Sequence, residues 1–184
     1  MIVKLLHEII YCHGLNSSAQ SETVTKLRET GLNVFTWDID PDPDIGLPNL
    51  IEQVDDWLMD RLNQCNTRVT FVGESLGAWY AAKLAHMFGA NSVLINPACS
   101  PSRLLPNAGV SQAIASKYEG IDLQPSDTIF VADNDQWIDL SGLEFGQAKT
   151  IFRAITYKYK NHETTLQAAI DHLNIKYVKY ESTD

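Results

Sequence analysis

Residues 71–79 read "FVGESLGAW": an apolar run stops at Gly73, a serine follows at 75, and Gly77 opens a second apolar, alanine-rich stretch. Upstream, "RVTFV" (68–72) shows no polar face, as a parallel strand covered by helices on both sides requires. Downstream, Leu76, Trp79, Tyr80, Leu84, Met87 and Phe88 predict a helix over 76–88 that is apolar almost all round and therefore central. A serine between strand and helix, with a glycine two residues to either side, fits a sharp turn that lifts a hydroxyl above the sheet edge. The glycines remove side chains that would clash with the neighbouring strand and helix. With 10 glycines and 12 serines in 184 residues, this spacing arises by chance only about 0.03 times per chain. An ordinary strand-to-helix turn is thus the weaker reading. The start of the helix also sets backbone N–H groups and a positive dipole end beside any oxyanion that develops there.

The rest of the chain repeats the alternation of short apolar runs and helical patterns that builds a mostly parallel sheet. "EIIYC" (8–12) and "NVFTW" (33–37) read as strands around a weak helix over 19–30. Between 49 and 64, Leu50, Ile51, Val54, Trp57, Leu58 and Leu62 recur with helical period. "SVLIN" and "TIFVA" are further buried strands, and "RAITYKY" alternates as an edge strand does. Leu166, Ala169, Ile170 and Leu173 mark the last helix, and the tail "IKYVKYESTD" reads as a possible short strand. The expected fold class is α/β, one domain over 1–184, with a sheet of about six strands flanked by helices. Residues 97–126 carry four prolines and read as an irregular excursion near the crevice that would hold the substrate pocket. With the first strand central and the second on one side of it, the crossovers reverse between strands one and three. A crevice then opens at their carboxyl ends, between "HGL" and "GESLG".

Composition narrows the function classes. A net charge of −9 repels nucleic acid phosphates and anionic membranes, so neither is an expected partner. The three cysteines, Cys12, Cys65 and Cys99, form neither a disulfide framework nor a zinc-ligand spacing. The N-terminus lacks a signal-peptide pattern and no window approaches a membrane span, so a cytoplasmic location is expected. Asp38, Asp40, Asp42 and Asp44 alternate in "WDIDPDPDIG" without the glycine and glutamate spacing of a calcium loop. They read as a solvated loop of proline and Asx turns. No metal or organic cofactor is implied.

A serine is a weak nucleophile at neutral pH and needs a base that is itself oriented by a third group. Downstream of Ser75 stand His86, His162 and His172. His86 lies too far along the serine's own helix to reach back, and His172 reads as a solvated helix-end residue. His162 falls between the last strand and the last helix, at the sheet edge where the base is wanted. "IFVADNDQWID" offers Asp133, Asp135 and Asp139 after the strand before it. Asp135 is the chosen acid, Asp133 the next, and Asp139 reads as a helix N-cap. The oxyanion hole is expected from the N–H groups of Leu76 and Leu15. Gly14 would allow the loop to approach, and His13 would brace it.

"IIYCHGLNSS", "FVGESLGAWYAAKLA", "LINPACSPSRLL", "NDQWID" and "NHE" occur in order and spacing that resemble the small bacterial α/β-hydrolase esterases of the YqiA/YcfP type. The resemblance implies a compact hydrolase without a large cap, cleaving short carboxylic esters or thioesters. By position it puts the nucleophile on Ser75, the acid on Asp135 and the base on His162, with Asn96 of "LINPA" holding the elbow loops by hydrogen bonds. Ala78 and Glu74 depart from the pattern. Glu74 brings a carboxylate to the site, which would raise the pKa of the base or favour cationic substrates. The expected partner is a small ester or thioester. Two rivals remain: a non-catalytic binding protein on the same fold, and a peptidase or amidase on the same triad.

Overall fold

The computed structural model describes residues 6–62, 67–132 and 155–179. Asp133, Asp135 and Asp139 lie outside these residues. The strands are β1 (Leu6–Cys12), β2 (Asn33–Phe35), β3 (Thr67–Glu74), β4 (Asn91–Ile95), β5 (Asp127–Ala132) and β6 (Ile155–Tyr159). They form one sheet in the order β2-β1-β3-β4-β5-β6, and every pairing is parallel. The chain leaves β1 toward β2 and then returns to extend the sheet the other way, so the switch point lies between β1 and β3. Cys12 pairs with Gly73 across it, which brings the two following loops out side by side.

Alternation along the strands separates two cores. Ile10, Phe71, Leu94 and Ile129 face the helices α2 (Pro43–Leu62) and α3 (Leu76–Phe88). Ile9, Tyr11, Val72, Val93 and Phe130 face α1 (Glu22–Glu29) and α6 (His162–Leu173). Helices on both faces explain why the central strands carry no polar side. The expected helix over 76–88 is found with those bounds, closed by Gly89 in the left-handed conformation. The 97–126 excursion contains only a short α4 (Pro101–Leu104), a 3-10 turn (Leu105–Ala108) and a short α5 (Gln112–Ala115).

Two elements differ from expectation. α2 begins at Pro43, inside the run read as a loop. Proline suits a first helical position because its missing N–H has no partner there. The Asp42 carboxylate accepts from the Asp44 N–H at 3.1 Å, acting as a cap, and Lys117 pairs with both Asp42 and Asp44. The described part of the tail, to Lys179, is helical instead of extended: Asn174–Lys179 continues α6 as a π-helix. Its Tyr177 is buried, stacked on His7 with ring centroids 3.5 Å apart, and its hydroxyl accepts from Thr70. Among the described residues no helix is long and apolar enough to cross a membrane.

Candidate active site

Ser75 stands alone between β3 and α3, with φ 54° and ψ −118°. Such a backbone is uncommon for a residue with a side chain and costs on the order of 1–3 kcal/mol. Three hydrogen bonds hold it. The Ser75 N–H donates to Ile95 O at 2.9 Å, and its carbonyl accepts from Ala78 N–H (3.2 Å) and Ala98 N–H (3.0 Å). The side chain remains exposed. The flanking glycines are demanded by space: a Cβ on Gly73 would lie 2.3 Å from Gly77 O, and one on Gly77 only 2.0 Å from Cys12 O. Gly14 meets the elbow from the other side, where a Cβ would sit 3.2 Å from Glu74 O.

That approach lays the β1 loop along the turn. Leu76 is the first helical residue, so its N–H has no intrahelical partner, and the N–H of Leu15 makes no hydrogen bond among the described residues. His13 fixes the loop. Its Nε2 lies 3.0 Å from the Ile39 N–H, an obligate donor, so Nε2 accepts and the ring proton is on Nδ1, which donates to Gly14 O at 2.8 Å. The imidazole thus braces the loop with both nitrogens. His13→Ala leaves the Ile39 N–H without its acceptor and is expected to cost about 1–3 kcal/mol of stability in denaturant unfolding.

His162 is the first residue of α6, which Asn161 and Thr164 cap reciprocally. Its Nε2 lies 2.8 Å from Glu74 Oε1, and its Nδ1 lies 2.7 Å from Asn96 Nδ2. Asn96, with φ 45°, directly follows β4; its N–H donates to Phe130 O and its Oδ1 accepts from the Ala132 N–H. The amide is therefore oriented, and its NH₂ faces the imidazole. The chain so brings His162 to the residue before the serine. The Ser75 hydroxyl itself makes no hydrogen bond among the described residues. Glu74 uses both oxygens: Oε2 accepts from Tyr11 OH (2.8 Å) and Thr23 OH (3.0 Å). Burial raises its pKa, but the hydrogen bonds from His162, Tyr11 and Thr23 outweigh this and hold the carboxyl below its ordinary range. A carboxylate so occupied is not free for a cationic substrate, one of the two roles read from its position. Tyr11 and Thr23 carry no sequence signal for this, being 63 and 51 residues from Glu74.

The other two downstream histidines fall away from the elbow. His86 lies 3.3 Å from buried Asp127, and His172 is half-buried against Phe130 instead of solvated. Cys12, at the end of β1, is buried, and its thiol is pushed up to about 12, so it supplies no thiolate at neutral pH.

The sequence model of the uncharacterised protein family UPF0227 matches residues 8–123. The chain belongs to this family. That bears out the resemblance to the YqiA/YcfP type. No curated protein matches the sequence significantly. Among solved structures, the chain is similar to an esterase of Pyrococcus furiosus, with TM-score 0.69 at 15% identity, covering 95% of this chain and 81% of that one. It is equally similar to an α/β serine hydrolase without a lid from Xanthomonas campestris, with TM-score 0.69 at 14% identity over 100% and 86% of the two chains. An esterase of Pyrobaculum calidifontis aligns with TM-score 0.63 at 18% identity, over 96% and 79%. These likenesses show the α/β-hydrolase fold, as expected from the order of its blocks.

In this UPF0227 chain a hollow of about 220 Å³ opens beside the elbow, between Leu15, Ile39, Pro41, Leu76 and Tyr80. Its walls come from the β1 loop, residues 39–41 and α3. The excursion backs that wall: Tyr118 OH donates to Pro41 O at 2.6 Å and lies 2.8 Å from Tyr80 OH, which reaches Asp40 O. A larger cavity of about 690 Å³, walled by His7, Arg68, Phe88 and Lys176, sits at the other end of the strands. Position beside the strained serine outweighs size here.

Proposed function

We propose that this chain is a serine hydrolase that cleaves a small carboxylic ester or thioester through an acyl-enzyme. The observation that carries the reading is Ser75 on a strained, hydrogen-bonded turn, exposed, with His162 delivered to the adjacent residue. Ser75 Oγ attacks the substrate carbonyl while His162 accepts its proton. The N–H groups of Leu15 and Leu76 receive the oxyanion. Collapse expels the alcohol or thiol, which takes the proton back from His162, and water then releases the acid by the reverse steps. Asp135 is the proposed acid that orients the imidazole. The hollow of about 220 Å³ is smaller than pockets built for drug-sized ligands, typically about 300–1,000 Å³, which favours a short acyl group.

A panel of esters, thioesters and peptides graded by acyl length tests this. Turnover of short-chain esters or thioesters is the expected result; cleavage of peptides alone would make it a peptidase, and no turnover would favour a binding role. Asp135→Asn is expected to lower turnover on the order of 10⁴-fold with the fold intact. The same loss in Asp133→Asn, with Asp135→Asn active, would move the acid to Asp133.

A further inference from the structure

We infer that Glu74 is a positioning residue for His162, a carboxylate that holds the imidazole by Nε2 and sets the pH at which it can act as a base. The inference rests on the hydrolase reading for its catalytic consequence, but not for the pairing itself. Three features carry it. Glu74 is built in: its side chain is 16% exposed, and Oε2 is anchored by hydroxyls from two other elements, Tyr11 of β1 and Thr23 of α1. The anchoring leaves Oε1 as the atom presented to His162, 2.8 Å from Nε2. On the ring's other side, Asn96 is oriented by the Ala132 N–H so that its NH₂ donates to Nδ1. In this arrangement the proton of the neutral ring resides on Nε2 and is donated to Glu74. Action as a base therefore requires the ring to leave Glu74 and Asn96 and carry its proton on Nδ1, toward the proposed Asp135. Nε2 is the nitrogen that has to accept the proton of Ser75, so Glu74 and Ser75 compete for it.

The electrostatic consequence has a definite sign. A carboxylate in contact favours the imidazolium and raises the pKa of His162, so its base form appears only at higher pH. One described neighbour opposes it: the Asn96 NH₂ donates to Nδ1, the nitrogen that imidazolium formation protonates, and so favours the neutral ring. Tyr11, whose pKa burial and Glu74 push upward, stays neutral, and Thr23 is uncharged, so neither alters the contribution of Glu74, which its removal reads directly. On α6 the neighbouring Glu163 adds negative charge, and Lys26 of α1, which interacts with it, is already paired with Glu22 at 2.8 Å. His162 is 48% exposed, so solvent screening moderates the effect.

The test is an NMR titration of the His162 ring in the wild type, Glu74→Gln and Glu74→Ser, with the resonance identified by its loss in His162→Gln. The expected result is a midpoint lower by about one pH unit in both Glu74 variants, and one restored toward wild type in Glu74→Asp. An unchanged midpoint in folded Glu74→Gln or Glu74→Ser overturns the inference. The acidic limb of kcat/KM should move to lower pH by the same amount. If the midpoint moves but the wild type turns over no ester and is inert to a fluorophosphonate, the pairing stands and the hydrolase reading fails.

Discussion

Ser75→Ala is expected to reduce ester turnover on the order of 10⁴- to 10⁶-fold, with His162→Ala falling in the same range. The hydroxyl forms the covalent bond, so nothing else at the elbow substitutes for it. Thermal unfolding of Ser75→Ala should be nearly unchanged. Alanine keeps the same strained backbone, the three hydrogen bonds that hold residue 75 involve only main-chain atoms, and the side chain is exposed. The two substitutions should not add: Ser75→Ala combined with His162→Ala should be about as slow as either alone, because the residues act as one unit. A double variant far slower than both would mean that each works in a separate step.

Gly77→Ala should produce the largest loss of stability. The added methyl would sit 2.0 Å from Cys12 O and 2.5 Å from His13 O, both main-chain atoms of β1 and its loop. No rotamer relieves that clash; α3 must move away from β1, where Ala78 and Leu76 are packed at 0% and 3% exposure. We expect a cost of about 3 kcal/mol or more, above the usual range for a small overpacking change, and a fall in Tm of about 10 °C. Gly89→Ala is the control. Nothing lies within 4 Å of a Cβ there, and only its left-handed φ of 63° is penalised, so the expected cost is about 1 kcal/mol. Equal losses at the two positions would mean that helix–strand approach is not what Gly77 secures.

The parts of the molecule that were legible in the sequence are those set by local pattern. α3 was read with its bounds because it follows the elbow and its residues are apolar almost all round. The parallel strands followed from short apolar runs, and the switch point from their order. α2 was harder. Pro43 and the aspartates around it read as turn chemistry, and only the cap by Asp42 and the pairing with Lys117, 75 residues distant, turn them into a helix start. Residues 174–179 are helical where Tyr177 meets His7 and Thr70, a contact no local pattern encodes.

The site divides in the same way. The elbow and its loop were visible because sterics demand glycine at 14, 73 and 77, and His162 because it lies between a strand and a helix. The placing of the hollow was not visible. It depends on how residues 39–41 fold against Tyr80 and Tyr118, a tertiary event. Glu74 was noticed as a departure from the family pattern, yet its partners Tyr11 and Thr23 belong to other elements and appear only when β1, α1 and β3 are assembled. Asp135, the chosen acid, lies outside the described residues, so its assignment rests on substitution.

The most direct test of the central claim is reaction of the folded chain with a fluorophosphonate, followed by mass mapping of the adduct. The account predicts one label per chain, carried by the peptide containing Ser75 and lost in His162→Ala. A folded chain that takes no label, or takes it on another residue, would contradict it.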